Sequence, residues 1–89
     1  MLQIFIIDAS MTHSKEDGFV GKVQFSVEGH DNEYEIALQS KRGSDWGYGL
    51  FFLHNSGNEE QLLALEDELE EDDELFDYLI QTAKSKLEA

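Results

Sequence analysis

Cysteine and proline are both absent from this 89-residue chain. Without thiols, neither a disulfide framework nor a thiolate metal site can form. With no proline, no internal repeat and no linker-like stretch, one domain is expected. Positive charge is scarce: six Lys and Arg stand against twenty Asp and Glu, for a net charge of −14. None of the six lies between Arg42 and Lys84. Such a chain lacks the basic footprint that direct nucleic-acid binding requires. Anionic membranes would repel it for the same reason. No apolar run approaches the length of a membrane span. The N-terminal run Met1–Ile7 lacks a basic leader and is too short for a signal peptide. The expected compartment is the cytoplasm. The charge allows basic protein partners, divalent cations, or simple solubility with the acids as a solvated helix face.

What the chain does have is acid, concentrated in one stretch. Eleven of the nineteen residues from Glu59 to Asp77 are Asp or Glu. Hydrophobic residues still make up 40% of the chain, including ten aromatics, which is globular rather than disordered.

An apolar pattern threads the acids: Leu62, Leu63, Leu65 and Leu69, then Leu75, Phe76, Leu79, Ile80, Ala83 and Leu87. Spacings of three and four predict amphipathic helix over 57–87. Ser56 and Glu59 fit a capping box that would start it near Gly57. Lys84 and Lys86 suit the negative end of its dipole. Unbroken, it would be roughly 46 Å long. The body of an 89-residue globule is only about 30 Å across. Asp72 and Asp73 also interrupt the apolar stripe, and Asp is a good N-cap. The reading is therefore two helices, approximately 57–71 and 73–87, with a break near 71–73. Leu69, Phe76, Ile80 and Ala83 are expected to face the sheet.

Four strands are predicted ahead of the helices, at approximately 2–7, 19–28, 33–40 and 46–53. The middle two alternate clearly. Phe19, Val23, Phe25 and Val27 face one way, then Tyr34, Ile36 and Leu38, with turn residues Gly29-His30-Asp31-Asn32 between them. The first and fourth strands are apolar on both faces, which predicts central strands covered on both sides. Asp8–Gly18 is polar and reads as a loop. Strands followed by helices give an α+β fold, with a three- or four-stranded, mainly antiparallel sheet packed by a C-terminal acidic helix or kinked helical pair.

Catalytic and metal chemistry find little footing. Asp8, Ser10 and His13 have the residue types of a hydrolytic triad, but such a triad is defined by spatial geometry. Asp8, Ser10, Thr12 and Ser14 alternate like calcium ligands, yet His13 stands where that loop requires glycine. His13, His30 and His54 form no helical metal pair. There is no nucleophile elbow, phosphate loop or dinucleotide fingerprint. No cofactor, metal or catalytic residue is expected.

The expected function is a small acidic, non-catalytic binding module. Its candidate partner-binding residues are Glu66, Asp67, Glu68, Glu70, Glu71, Asp72, Asp73 and Glu74. Trp46 and Tyr48 join them from the Gly-rich 41–49 segment, read either as rigid contact area on a recognition loop or as a bulged hairpin whose Trp46 plugs the end of the core. A narrower version is a DNA mimic, an inhibitor that occupies the basic cleft of a nucleic-acid-binding protein. On a straight helix the acids would fall about 2.6 Å apart along the axis, against about 1.7 Å in duplex DNA. The second face of strands one and four raises a further expectation. It is either an interface, with a homodimer as one outcome, or it is covered by the 9–18 segment and Met11.

Overall fold

Alternation in the two middle strands sets the centre of the sheet. In a computed structural model, which describes residues 2–54 and 56–87, Gly18–Val27 (β2) pairs antiparallel with Glu33–Ser40 (β3). Ile4–Ser14 (β1) flanks β2, and Gly47–Phe52 (β4) flanks β3. The order is β1-β2-β3-β4, every neighbour antiparallel. Glu59–Glu71 (α1) and Asp73–Lys84 (α2) follow. This is the α+β fold expected, with four strands and a broken helical pair.

Both helices lie on one face. α2 packs on β1 and β2, and α1 packs on β4. Val23, Phe25, Val27, Tyr34, Ile36, Leu38 and Leu50 from the sheet are buried against Leu65, Leu69, Leu75, Leu79, Ile80 and Ala83. The shortest dimension of the molecule is 18 Å, room for one sheet and one helix layer. The other sheet face is open.

Three sequence expectations change here. First, β1 does not stop at Ile7 but runs to Ser14, through the segment read as loop. The register shifts between Ile6 and Asp8. Such a bulge inserts one unpaired residue and reverses which parity points inward. Ile4 and Ile6 face the helices before it, and Ala9 and Met11 after it. A constant two-residue period cannot follow that reversal. Met11 is therefore buried under the helix layer rather than folded across the open face.

Second, β1 and β4 are the two edges, not central strands. Their outer-face side chains are bare: Phe5 is 51% exposed and Phe51 is 53% exposed. Ile7, the bulged residue, is exposed as well. Three strand spacings of about 4.8 Å separate the two edges, so the bare side chains of strands one and four share the open sheet face without adjoining one another. Between them lie Val20, Lys22, Gln24, Ser26, Glu33, Glu35 and Ala37, with Gln24 Nε2 donating to Glu35 Oε1 at 3.0 Å.

Third, the start of the first helix is reassigned, while the second starts at Asp73 as expected. Asn58, not Ser56, caps α1: its side-chain oxygen accepts from Gln61 N at 3.2 Å. The β2–β3 turn holds that cap in place. Asn32 Oδ1 accepts from Asn58 N at 3.0 Å, and Gln61 Oε1 accepts from Asp31 N at 2.8 Å. The predicted break falls at Asp72, whose carboxylate accepts from Glu74 N and Leu75 N. Its own N–H still closes α1 by donating to Glu68 O at 2.8 Å. Restarting at Asp72 resets the helical phase. Leu75 and Leu79 take the buried positions with Ile80 and Ala83, and Phe76 moves to a half-buried rim. α2 ends at Lys84, so Lys84 sits in the last turn and Lys86 lies beyond it.

Candidate functional site

The acids of α1 and the start of α2 occupy the outer side of the helix layer. α1 alone carries seven acids in thirteen residues. Asp67, Glu68, Glu70, Glu71, Asp73 and Glu74 are exposed, and Glu66 is half-buried. Asp72 is different in kind. Its Oδ1 caps α2, and the half-buried carboxylate still carries its charge beside the other acids. The break there also divides the acids between two helix axes. They do not form the straight ladder of charge that a duplex presents.

Among the described residues the acids of the helices have no Lys or Arg at ion-pair distance, and the one ion pair joins His54 Nε2 to Glu33 Oε1 at 3.0 Å. Lys41, for example, donates from Nζ to the backbone oxygen of Glu16 at 2.8 Å.

The two aromatic candidates separate. Tyr48 points to the helix side of β4, where its ring meets Phe76 at 5.3 Å. Its hydroxyl reaches Glu70 Oε1 at 3.5 Å. Burial pushes the Tyr48 phenol above its ordinary pKa, and the charges of Glu70, Glu66 and Asp67 push it further. Tyr48 thus joins the acids as one surface. Trp46 does not. Its indole Nε1 donates to Gly43 O at 3.2 Å, and its ring stands 6.0 Å from Phe19. It closes the 41–46 loop onto the sheet. Gly43, at φ +84, turns that loop, where any Cβ would come within 3.1 Å of the Phe19 ring.

The residues weighed for catalysis do not converge. Asp8 and Ser10 project from the open face of β1. His13 lies on the other face, its ring 4.4 Å from Phe19. His30 Nδ1 is hydrogen-bonded to the Tyr34 hydroxyl at 2.8 Å. Asp8, Ser10, Thr12 and Ser14 share one face of a straight strand, about 7 Å from each to the next. Among the described residues no three His, Asp or Glu side chains gather as a cation site would need. Nor is any helix among them long and apolar enough to cross a membrane.

One feature escaped the sequence reading. Gly47 and Gly49 fall on the open face of β4, opposite Gln39 and Ala37. Their missing side chains leave a trough of about 370 Å³, walled by Val20, Ala37 and Phe51. The signal was available: in Gly-Tyr-Gly-Leu-Phe-Phe, alternation puts both glycines on one side. A Gly-rich segment read as a loop conceals that pattern.

Comparison of the chain with protein-family models, curated proteins and solved structures finds no significant match.

Proposed function

We propose that the chain is a non-catalytic binding module that offers the acidic flank of α1 and the first turn of α2 to a basic protein partner. The observation that carries this reading is the missing counter-charge. Like charges one helical turn apart repel, at a few tenths of a kcal/mol per pair. α1 keeps several such pairs, Glu66–Glu70 and Asp67–Glu71 among them, with no Lys or Arg to offset them. A cationic surface would remove that repulsion on docking. Nucleic acid and anionic membrane carry the wrong sign. The cytoplasm is the compartment this reading assigns, for a chain with no cysteine. A DNA mimic is the narrower form of the same idea, and the bend at Asp72 makes it the weaker one.

The test joins two measurements on one variant, in which Glu66, Glu68, Glu70 and Glu71 become Gln. Affinity capture from source lysate is run at low and high salt for wild type and variant, with melting temperatures recorded alongside. Salt should release the wild-type partner, because exposed charge pairs are screened within a Debye length of about 8–10 Å. The variant should melt higher and capture nothing. Higher stability with capture unchanged overturns the reading and leaves a solubilising helix.

A further inference from the structure

β4 ends the sheet, and among the described residues no strand pairs with its outer edge. Leu53 N donates to Glu33 O at 2.9 Å, which makes Glu33 and Leu53 a hydrogen-bonded pair. By antiparallel alternation Phe51, Gly49 and Gly47 also bond inward to β3. Tyr48, Leu50 and Phe52 therefore turn their N–H and C=O groups outward, and no backbone group among the described residues meets them. Natural edges are commonly blunted by a lysine, a proline or a bulge. β1, the opposite edge, has the bulge at Ile7. β4, Gly-Tyr-Gly-Leu-Phe-Phe, has none of the three.

We propose that this edge is a docking site for an extended basic segment of a partner protein, which adds as a fifth strand. The proposal rests on the reading of the acidic flank as a binding surface, and it gives that surface a partner geometry. Side chains of an added strand alternate between faces. Those on the helix side arrive beside Tyr48, where Glu66 and Glu70 lie, and are matched by Lys or Arg. Those on the open side arrive over the trough beside Gly49 and Phe51, and are matched by apolar residues. The recognised pattern is alternating basic and apolar. Charge decides the occupant. A second copy paired through β4 about a two-fold axis normal to the sheet would set the two α1 flanks side by side, each with Glu66 and Glu70. A cationic strand meets them with the opposite sign.

The experiment uses the intact protein and two synthetic peptides of about seven residues, long enough to run past β4. One alternates Lys and Val; the other has the same composition in two blocks. Amide hydrogen exchange is followed residue by residue, with sedimentation of the free protein as a companion measurement. The expected result is slowing of about tenfold or more at Tyr48, Leu50 and Phe52 with the alternating peptide alone. Gly49 and Phe51, already bonded to β3, should change little. Replacing Glu66 and Glu70 by Gln should weaken the peptide severalfold. Salt-sensitive binding of both peptides without slowing at the three amides overturns strand addition and leaves the acidic flank as a binding surface. No binding of the alternating peptide, with partner capture still lost in the four-site Glu→Gln variant, overturns strand addition alone. A free protein that sediments as a dimer with those amides already protected overturns the basic peptide as occupant, because a second copy holds the edge.

Discussion

The two helices are nearly the same length and serve opposite ends. α2 buries Leu75, Leu79, Ile80 and Ala83 in its twelve residues; α1 buries only Leu65 and Leu69 in its thirteen. α1 carries seven acids and leaves Leu63 in solvent. α2 ends on Lys84, the favourable sign for its dipole, whereas the last turn of α1 has no base and ends in Glu70 and Glu71. Charge has accumulated on the helix that contributes least to the core. The lesson is a division of labour: α2 holds the sheet together, and α1 is a carried surface, fixed at one end by the Asn58 clasp and at the other by Asp72.

Four measurements sharpen or break that contrast. The largest effect is expected in α2. Leu79 is fully buried, and Leu79→Ala should cost about 2–5 kcal/mol in a chemical denaturation curve. Leu63→Ala in α1 should cost well under about 1 kcal/mol. Equal losses would abolish the distinction. Next in size, the four-site Glu→Gln variant of α1 should be more stable by about 1–2 kcal/mol at low salt, and the gain should shrink as salt is added. A loss of stability would mean that the acids hold α1 in place. Asp72→Ala should cost about 1 kcal/mol, the usual worth of an N-cap. That loss should appear mainly in α2, as faster exchange of the Glu74 and Leu75 amides. Unchanged exchange there would reassign the cap.

The smallest expected effect concerns the tyrosines. Burial raises the phenol pKa of both Tyr34 and Tyr48 above 10.0, and nearby acids add to it. The folded state then holds protons that the unfolded state releases. Stability is unaffected below about pH 10 and falls as pH rises through and beyond it. Ultraviolet titration of Glu70→Gln should move the Tyr48 transition down, towards the ordinary value, and leave Tyr34 where it was. No movement would uncouple Tyr48 from the acidic flank.

Sequence pattern reached the features that depend on near neighbours. Alternation located β2 and β3, and the Asp72–Asp73 interruption located the helix break. It misread what depends on a single local irregularity or on distance. One extra residue at Ile7 reversed the parity of β1 and hid half of that strand. The two-faced apolar character of β1 and β4 resembled that of central strands, although both are edges. Nothing within a local window ties Tyr48 to Glu70, twenty-two residues later. Nor does it bring Asn58 to Asn32, which is why the cap was assigned to Ser56.

The strand order carries a consequence for how the molecule assembles. Each strand pairs with the next in the chain, so the sheet can zip up hairpin by hairpin, closing only short loops. The helices bury their apolar sides against that sheet and against one another. α2 must then return to β1, the most distant strand in sequence. The negative segment packs against a chain that is itself net negative over its first 42 residues. Electrostatic repulsion is concentrated where the two meet. Added salt should therefore favour the attachment of the helices, which refolding and unfolding rates measured at low and high salt would check.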